Sequence, residues 1–137
     1  MYFLMSIKPK YADLILEGKK TIEIRKSRVN VCVGDTIAIY ATKPKGRIVG
    51  YFSVDKVMWA ETDVLWETKG HCTCLSYEEY MKYADGKRSM CGIAISSAIH
   101  VNGMPMEQMR MRIPQSYRRI TETEFLELIK KEEASSQ

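Results

Sequence analysis

The stretch Glu17–Lys26, EGKKTIEIRK, decides how this chain is read. Gly18 marks the end of a helix, because glycine takes the left-handed conformation that closes one. Two residues later a strand begins. Ile22 and Ile24 alternate with Thr21, Glu23 and Arg25, so the isoleucines are expected on the core side and the polar set on the outer face. Lys20 stands at the corner between helix and strand. Strict alternation sends it to the isoleucine side. A corner need not be extended, however, and a turn there can bring Lys20 beside Glu23 and Arg25. Two readings follow. One is the solvated face of an ordinary strand, with ion pairs worth under about 1 kcal/mol. The other is one wall of a site in which a lysine and an arginine hold an anion, with a glutamate kept ionised between them.

Working outward, Met1–Ile7 is a short aromatic and aliphatic run that reads as a first strand. Pro9 suits the first turn of the helix that follows, and Tyr11, Leu14 and Ile15 share its inner face. A Val-Gly-Asp turn leads into a strand over Thr36–Ala41, and a loop around Pro44 into a long strand from Arg47. Gly50 in that strand predicts a bulge or tight bend. Thr62 opens one short helix, and Ser76 with Glu79 forms a capping box for a second that ends near Gly86. Residues 89–101 return to strand. Residues 103–120 read as irregular, with one helical turn after Pro105. Thr121 and Glu124 cap a last helix with Phe125, Leu128 and Ile129 inward, and 131–137 read as a frayed tail. With no linker or repeat, 137 residues make one α+β domain built on a small, mostly antiparallel β-barrel flanked by helices.

Composition narrows the function. Hydrophobic content of 45% against 28% charged predicts a packed core and excludes wholesale disorder. The opening apolar run is too short to span a membrane and lacks the features of a signal peptide, so a cytoplasmic location and no membrane partner are expected. The four cysteines are then free thiols. Charge is uneven. Residues 1–50 hold ten Lys and Arg against four Asp and Glu, whereas the remainder holds eleven against thirteen. The basic excess surrounds the opening stretch and favours an anionic partner. Lys8, Lys10, Arg28, Lys43, Lys45 and Arg47 widen the basic set, and Tyr40 and Tyr117 offer rings on which bases can stack.

Other motifs carry less. His71, Cys72, Cys74 and Cys91 supply soft ligand types, but their spacing fits no common zinc site, and no metal is expected. The segment MPMEQMRMR, from Met104, reads as cover for the core at an irregular turn, with Arg110 and Arg112 exposed; a soft partner-binding surface is the alternative. No Walker loop, Gly-x-Gly-x-x-Gly or Ser-His-Asp order is present.

The residues Gly18, Lys20, Glu23 and Arg25 in GKKTIEIR resemble the G-x-K-x-x-E-x-R signature of ASCH domains, members of the PUA-like superfamily. The upstream SIKPKYADLILEG and the downstream VGDTIAIYAT resemble the family's flanking elements, and IPQSY is similar to a Pro-Gln-Ser-aromatic element of some relatives. The resemblance implies a five- or six-stranded barrel with a cleft lined by Lys20, Glu23 and Arg25. It also implies binding of RNA, nucleotides or modified nucleobases, without a cofactor. Some relatives are hydrolases. In the small deacylating ones a threonine nucleophile stands where this chain has Glu23, so that chemistry does not transfer. Three functions are therefore expected of this chain. The first is an RNA- or nucleotide-binding domain using Lys8, Lys20, Glu23, Arg25, Tyr40, Arg47 and Tyr117. The second is a small metal-independent hydrolase of RNA or a modified nucleoside, with Lys20 and Glu23 as acid and base. The third is a regulatory module that meets a protein through Met106 and Met109. Oligomeric state is left open by all three.

Overall fold

Alternating apolar residues give most of the strands, and the computed structural model, which describes residues 1–130, arranges them in one sheet. The strands are β1 (Tyr2–Ile7), β2 (Ile22–Arg25), β3 (Thr36–Ala41), β4 (Arg47–Glu61), β5 (Ser89–His100) and β6 (Tyr117–Ile120). The helices are α1 (Pro9–Leu16), α2 (Thr62–Lys69), α3 (Tyr77–Ala84) and α4 (Glu122–Ile129). Strand order is β2-β5-β4-β3-β1-β6. Every pairing is antiparallel except β1 with β3. The expected tail at 131–137 lies outside the described residues.

The expected barrel is corrected in one respect: the sheet is not closed. Its edges, β2 and β6, are four residues each and do not pair with one another. Register shifts at Ile39/Tyr40, Tyr51/Ser53 and Val54/Lys56 bend the long strands, so the sheet curls without sealing. The Arg25 side chain spans the seam. Its Nη2 donates to the Ser6 carbonyl at 2.9 Å and its Nη1 to Ser116 Oγ at 3.4 Å.

Both faces of the sheet are covered. The concave face holds Phe3, Met5, Ile37, Ile39, Phe52, Val54 and Ile93, packed under Ala12 and Ile15 of α1. On the convex face, α4 covers Leu4, Ala38, Tyr40 and Ile48 through Phe125 and Leu128. Further round, Leu65 of α2 and Tyr80 and Ala84 of α3 cover Ile22, Ile24 and Met90. This corrects the face assignment of β2. Ile22 and Ile24 point to the helical layer, whereas Glu23 and Arg25, opposite Ile93 and Cys91, point into the concave side. The reason is that this strand has no solvent face. The helices occupy the apolar side, and the polar side turns inward with the curl.

The helix ends follow local rules. Both capping boxes are formed, at Ser76/Glu79 and Thr121/Glu124. Pro9 sits in the first turn of α1, and Gly18 takes φ +78° after its end. A turn of 3-10 helix at Met106–Gln108 follows Pro105. The strand β6, in a segment read as irregular, is the element the sequence concealed. Tyr-Arg-Arg-Ile has no apolar alternation, and the strand exists because the free edge of β1 accepts it.

Gly50 is required by close approach. A Cβ there would stand 2.5 Å from both the Ile99 carbonyl oxygen and Leu16 Cδ2. Gly50→Ala is expected to lower unfolding free energy by about 1–3 kcal/mol. At Gly92 the nearest atoms to an added Cβ are 3.4 Å away. Gly92→Ala is therefore expected to be neutral or to gain up to about 1 kcal/mol, since alanine costs less backbone entropy. Urea unfolding followed by circular dichroism separates the two.

Candidate functional site

The corner between α1 and β2 builds the site. After Gly18 the backbone N–H groups of Lys19 and Lys20 both donate to the Leu14 carbonyl, at 2.9 and 3.0 Å. The chain is thus wound back on the helix end and is not extended at Lys20. That winding frees Lys20 from strand alternation and turns its side chain towards Glu23. Lys20 is 2% exposed. Its Nζ donates to the Thr73 carbonyl at 2.6 Å, stands 3.8 Å from Glu23 Oε1, and lies 5.0 Å from the Tyr11 ring centroid. Thr73 is itself fixed, its hydroxyl donating to the Gly70 carbonyl at 2.7 Å.

Glu23 and Arg25 face the same side because they are two apart on β2. Arg25 donates from Nε to Glu23 Oε2 at 3.0 Å, and its Nη2 forms an ion pair with the same oxygen at 3.0 Å. The carboxylate therefore sits between an arginine fork and a buried ammonium, with Oε1 the less engaged oxygen. Burial pushes the Lys20 ammonium below its ordinary value of 10.5, with Glu23 opposing the shift. Burial likewise raises the Tyr83 phenol, Arg25 opposing and Glu23 adding to the rise.

These groups line a cavity of about 740 Å³ between the seam of the sheet and α3. Lys8, at the end of β1, and Lys82, on α3, bring its cations to four, against the carboxylates of Glu23 and Glu79. The result is a positive cleft whose floor carries a carboxylate and a lysine whose charged form burial disfavours. It can hold an anion, and it places an acid and a base 3.8 Å apart.

Of the seven residues expected at the site, Lys8, Lys20, Glu23 and Arg25 line this cavity, and three do not. Tyr40 is 3% exposed and packs on the convex face with Leu4 and Ile48, so no base can stack on it. Alternation with Ile39 and Ala41, both in the concave core, sends it there. Arg47 donates from Nη2 to the Gly103 carbonyl at 2.7 Å and ties down the methionine-rich loop. Tyr117 packs against Phe3, and its hydroxyl accepts from the Asn30 N–H at 2.9 Å.

Sequence reading missed the wall supplied by α3. Glu79, Lys82 and Tyr83 line the cavity at i, i+3 and i+4 spacing. That spacing is visible in the sequence, but only packing shows which way it faces. Tyr11, read as a core residue, also lines the cavity. His71, Cys72, Cys74 and Cys91 are not gathered. Cys91 lies in the concave core and Cys72 against the helical layer on the other face of the sheet. Among the described residues no group of three or more His, Cys, Asp or Glu is placed to hold a metal ion. Nor is any helix among them long and apolar enough to cross a membrane. Met104, Met106, Met109 and Met111 are partly buried cover on the α4 side, with Arg110 and Arg112 exposed.

A curled six-stranded sheet with helices packed on both faces is the fold this chain shares with solved ASCH structures. The chain belongs to the ASCH domain family, which it matches over residues 5–100. It is similar to a protein of Zymomonas mobilis subsp. mobilis described as an ASCH domain-containing ribonuclease. The two are 24% identical over 107 residues, covering 78% of this chain and 72% of that protein. A crystal structure of ASCH from Zymomonas mobilis shares the fold at a TM-score of 0.86 and 22% identity, covering 92% of each chain. A tyrosine-to-phenylalanine mutant of the Zymomonas mobilis protein gives 0.85 at 22% identity, over 90% of this chain and 93% of that one.

Two predictions follow from the charge cluster. Glu23→Gln leaves the buried Lys20 and the partly buried Arg25 short of their counterion and is expected to lower stability by about 2 kcal/mol. Glu17→Gln, which removes an exposed contact 4.0 Å from Lys19, is expected to change it by under about 0.5 kcal/mol. Lys20 adds a pH signature. Its folded-state value lies below 10.5, so between the two values the unfolded chain binds more protons. The cost of burying its charge is present in full below the folded value and is relieved as pH rises towards 10.5. Wild-type stability should therefore gain on Lys20→Met as pH is raised from 7 to 10, and paired urea titrations read the difference. A stability difference, wild type minus Lys20→Met, that fails to rise with pH contradicts the shift.

Proposed function

We propose that this protein binds single-stranded RNA in the cleft at the seam of its sheet. The observation that carries this reading is the joint placement of Lys20, Glu23 and Arg25 on one wall of a 740 Å³ cavity, with Lys8 and Lys82 at its rim. Arg25 already donates to Glu23 and the Ser6 carbonyl through Nε and Nη2, which leaves the N–H groups of Nη1, 3.4 Å from Ser116 Oγ, to reach a phosphate. Lys8 and Lys82 neutralise flanking phosphates. Glu23 Oε1 accepts from a base N–H or a ribose hydroxyl. Tyr11 and Tyr83 give the cleft aromatic walls. The same reading sets the protein in the cytoplasm, where its free cysteines remain thiols.

A second reading is cleavage, favoured by the ribonuclease description of the Zymomonas mobilis relative and by the paired acid and base. Glu23 Oε1 takes the proton of a 2′-hydroxyl, whose oxygen attacks the adjacent phosphorus. The bond to the 5′-oxygen breaks, and that oxygen takes a proton from the Lys20 ammonium. Burial makes Lys20 a stronger acid than an exposed lysine. Arg25 stabilises the added charge on the phosphoryl oxygens. The products are a 2′,3′-cyclic phosphate and a free 5′-hydroxyl.

Affinity for an oligoribonucleotide should fall with salt, each contacted phosphate adding about 0.7 to the slope of log K against log salt. Arg25→Lys should weaken binding about tenfold by losing the fork. If binding is insensitive to both salt and Arg25, the cleft is not the site. For cleavage, Lys20→Met and Glu23→Gln should each slow turnover by about 100-fold or more. An oligonucleotide carrying 2′-O-methyl groups throughout should bind and stay intact. Cleavage of that oligonucleotide would exclude the 2′-hydroxyl route.

A further inference from the structure

Next to the cleft the surface carries two cation–aromatic pairs. Lys26 Nζ lies 5.2 Å from the Tyr83 ring centroid, and the Arg28 guanidinium carbon 4.6 Å from that of Trp59. The first pair adjoins the cleft, because Tyr83 lines it and Lys26 follows Arg25. The sheet places the second. Arg25 on β2 and Trp59 on β4 are both opposite Cys91 on β5, so two inter-strand spacings, about 9.6 Å, separate them. Side chains opposite one another across a sheet share a face, so Trp59 lies on the side to which Arg25 points, while the Lys26–Tyr83 pair stands at the β2 edge of the cleft.

The core does not account for these rings. Tyr83 and Trp59 are 38% and 37% exposed and belong to none of the three hydrophobic clusters. Nor do acids account for the cations. Among the described residues neither Lys26 nor Arg28 forms an ion pair with a carboxylate. Exposed rings interleaved with acid-free cations match what a single strand presents: unstacked bases alternating with phosphates.

We propose that this strip is a second subsite, which receives the nucleotides of a single-stranded RNA as it leaves the cleft. Tyr83 and Trp59 stack bases, and Lys26 and Arg28 hold the phosphates between them. The inference rests on the RNA reading of the cleft and extends it to substrate length. The strip rewards a strand several nucleotides long, adds little for a mononucleotide, and disfavours a duplex, whose bases are already stacked.

The test compares uridine 5′-monophosphate with a fully 2′-O-methylated decauridylate, which binds without being cut. Trp66 packs on Tyr77 and Tyr80, so a Trp66→Phe background leaves Trp59 as the tryptophan reporter. The decamer should quench Trp59 emission and the mononucleotide should not. Trp59→Ala should weaken the decamer about 5- to 100-fold and leave the mononucleotide unchanged. Arg28→Ala should lower the decamer's salt slope by about 0.7. If Trp66→Phe unfolds the protein, anisotropy of a labelled decamer on Trp59→Ala alone gives the same comparison. A decamer indifferent to Trp59→Ala, or both probes weakened equally, overturns the strip while the cleft reading stands. Failure of both probes to bind wild-type protein overturns the cleft reading and the strip with it.

Discussion

The Glu23 carboxylate, held between the Arg25 fork and the buried Lys20 ammonium, is the contact on which the site and the seam both depend. Arg25 donates to Glu23 and, with the same guanidinium, reaches across the sheet's open edge to Ser6 and Ser116. A closed barrel would have used backbone pairs there and left no cavity. The open seam leaves room, and a charged side chain keeps the edges together. Apolar replacements of a buried ion pair often do as well, whereas loss of one partner strands the others.

The same constraint explains the electrostatics. Lys20 is nearly inaccessible, and its ammonium is tolerated because a carbonyl accepts from it and a carboxylate stands 3.8 Å away. Those partners do not fully replace water, so its proton is held less firmly than on a surface lysine. The site thus contains a weakened base and a paired carboxylate at close range. The proposed recognition and the proposed cleavage would therefore draw on one geometry.

Much of this was legible in local pattern. Pro9 and Gly18 bracket α1, the two capping boxes start α3 and α4, and the span of β3 follows from alternation alone. Gly18, Lys20, Glu23 and Arg25 pointed to the family before any fold was known. Tyr40, Arg47 and Tyr117 stand outside the cleft, and they share a cause. Each sits beside the basic region in sequence or carries a base-stacking ring, but strand phase and loop packing, not residue type, set where a side chain points. Tyr40 lies on the wrong face of β3, Arg47 is drawn to the Gly103 carbonyl, and Tyr117 braces the Asn30 loop.

The amino-acid sequence by itself determined the elements, their caps, the family and the cluster of charges at one corner, because these arise from contacts within a few residues along the chain. Which side of β2 faces inward was decided only in three dimensions. Alternation separates two faces but does not say which is covered by helices and which is enclosed by the curl. The α3 wall of the cleft, the strand β6 and the strip from Tyr83 to Trp59 came from tertiary structure for the same reason. Their partners lie far along the chain, and only packing brings them within reach.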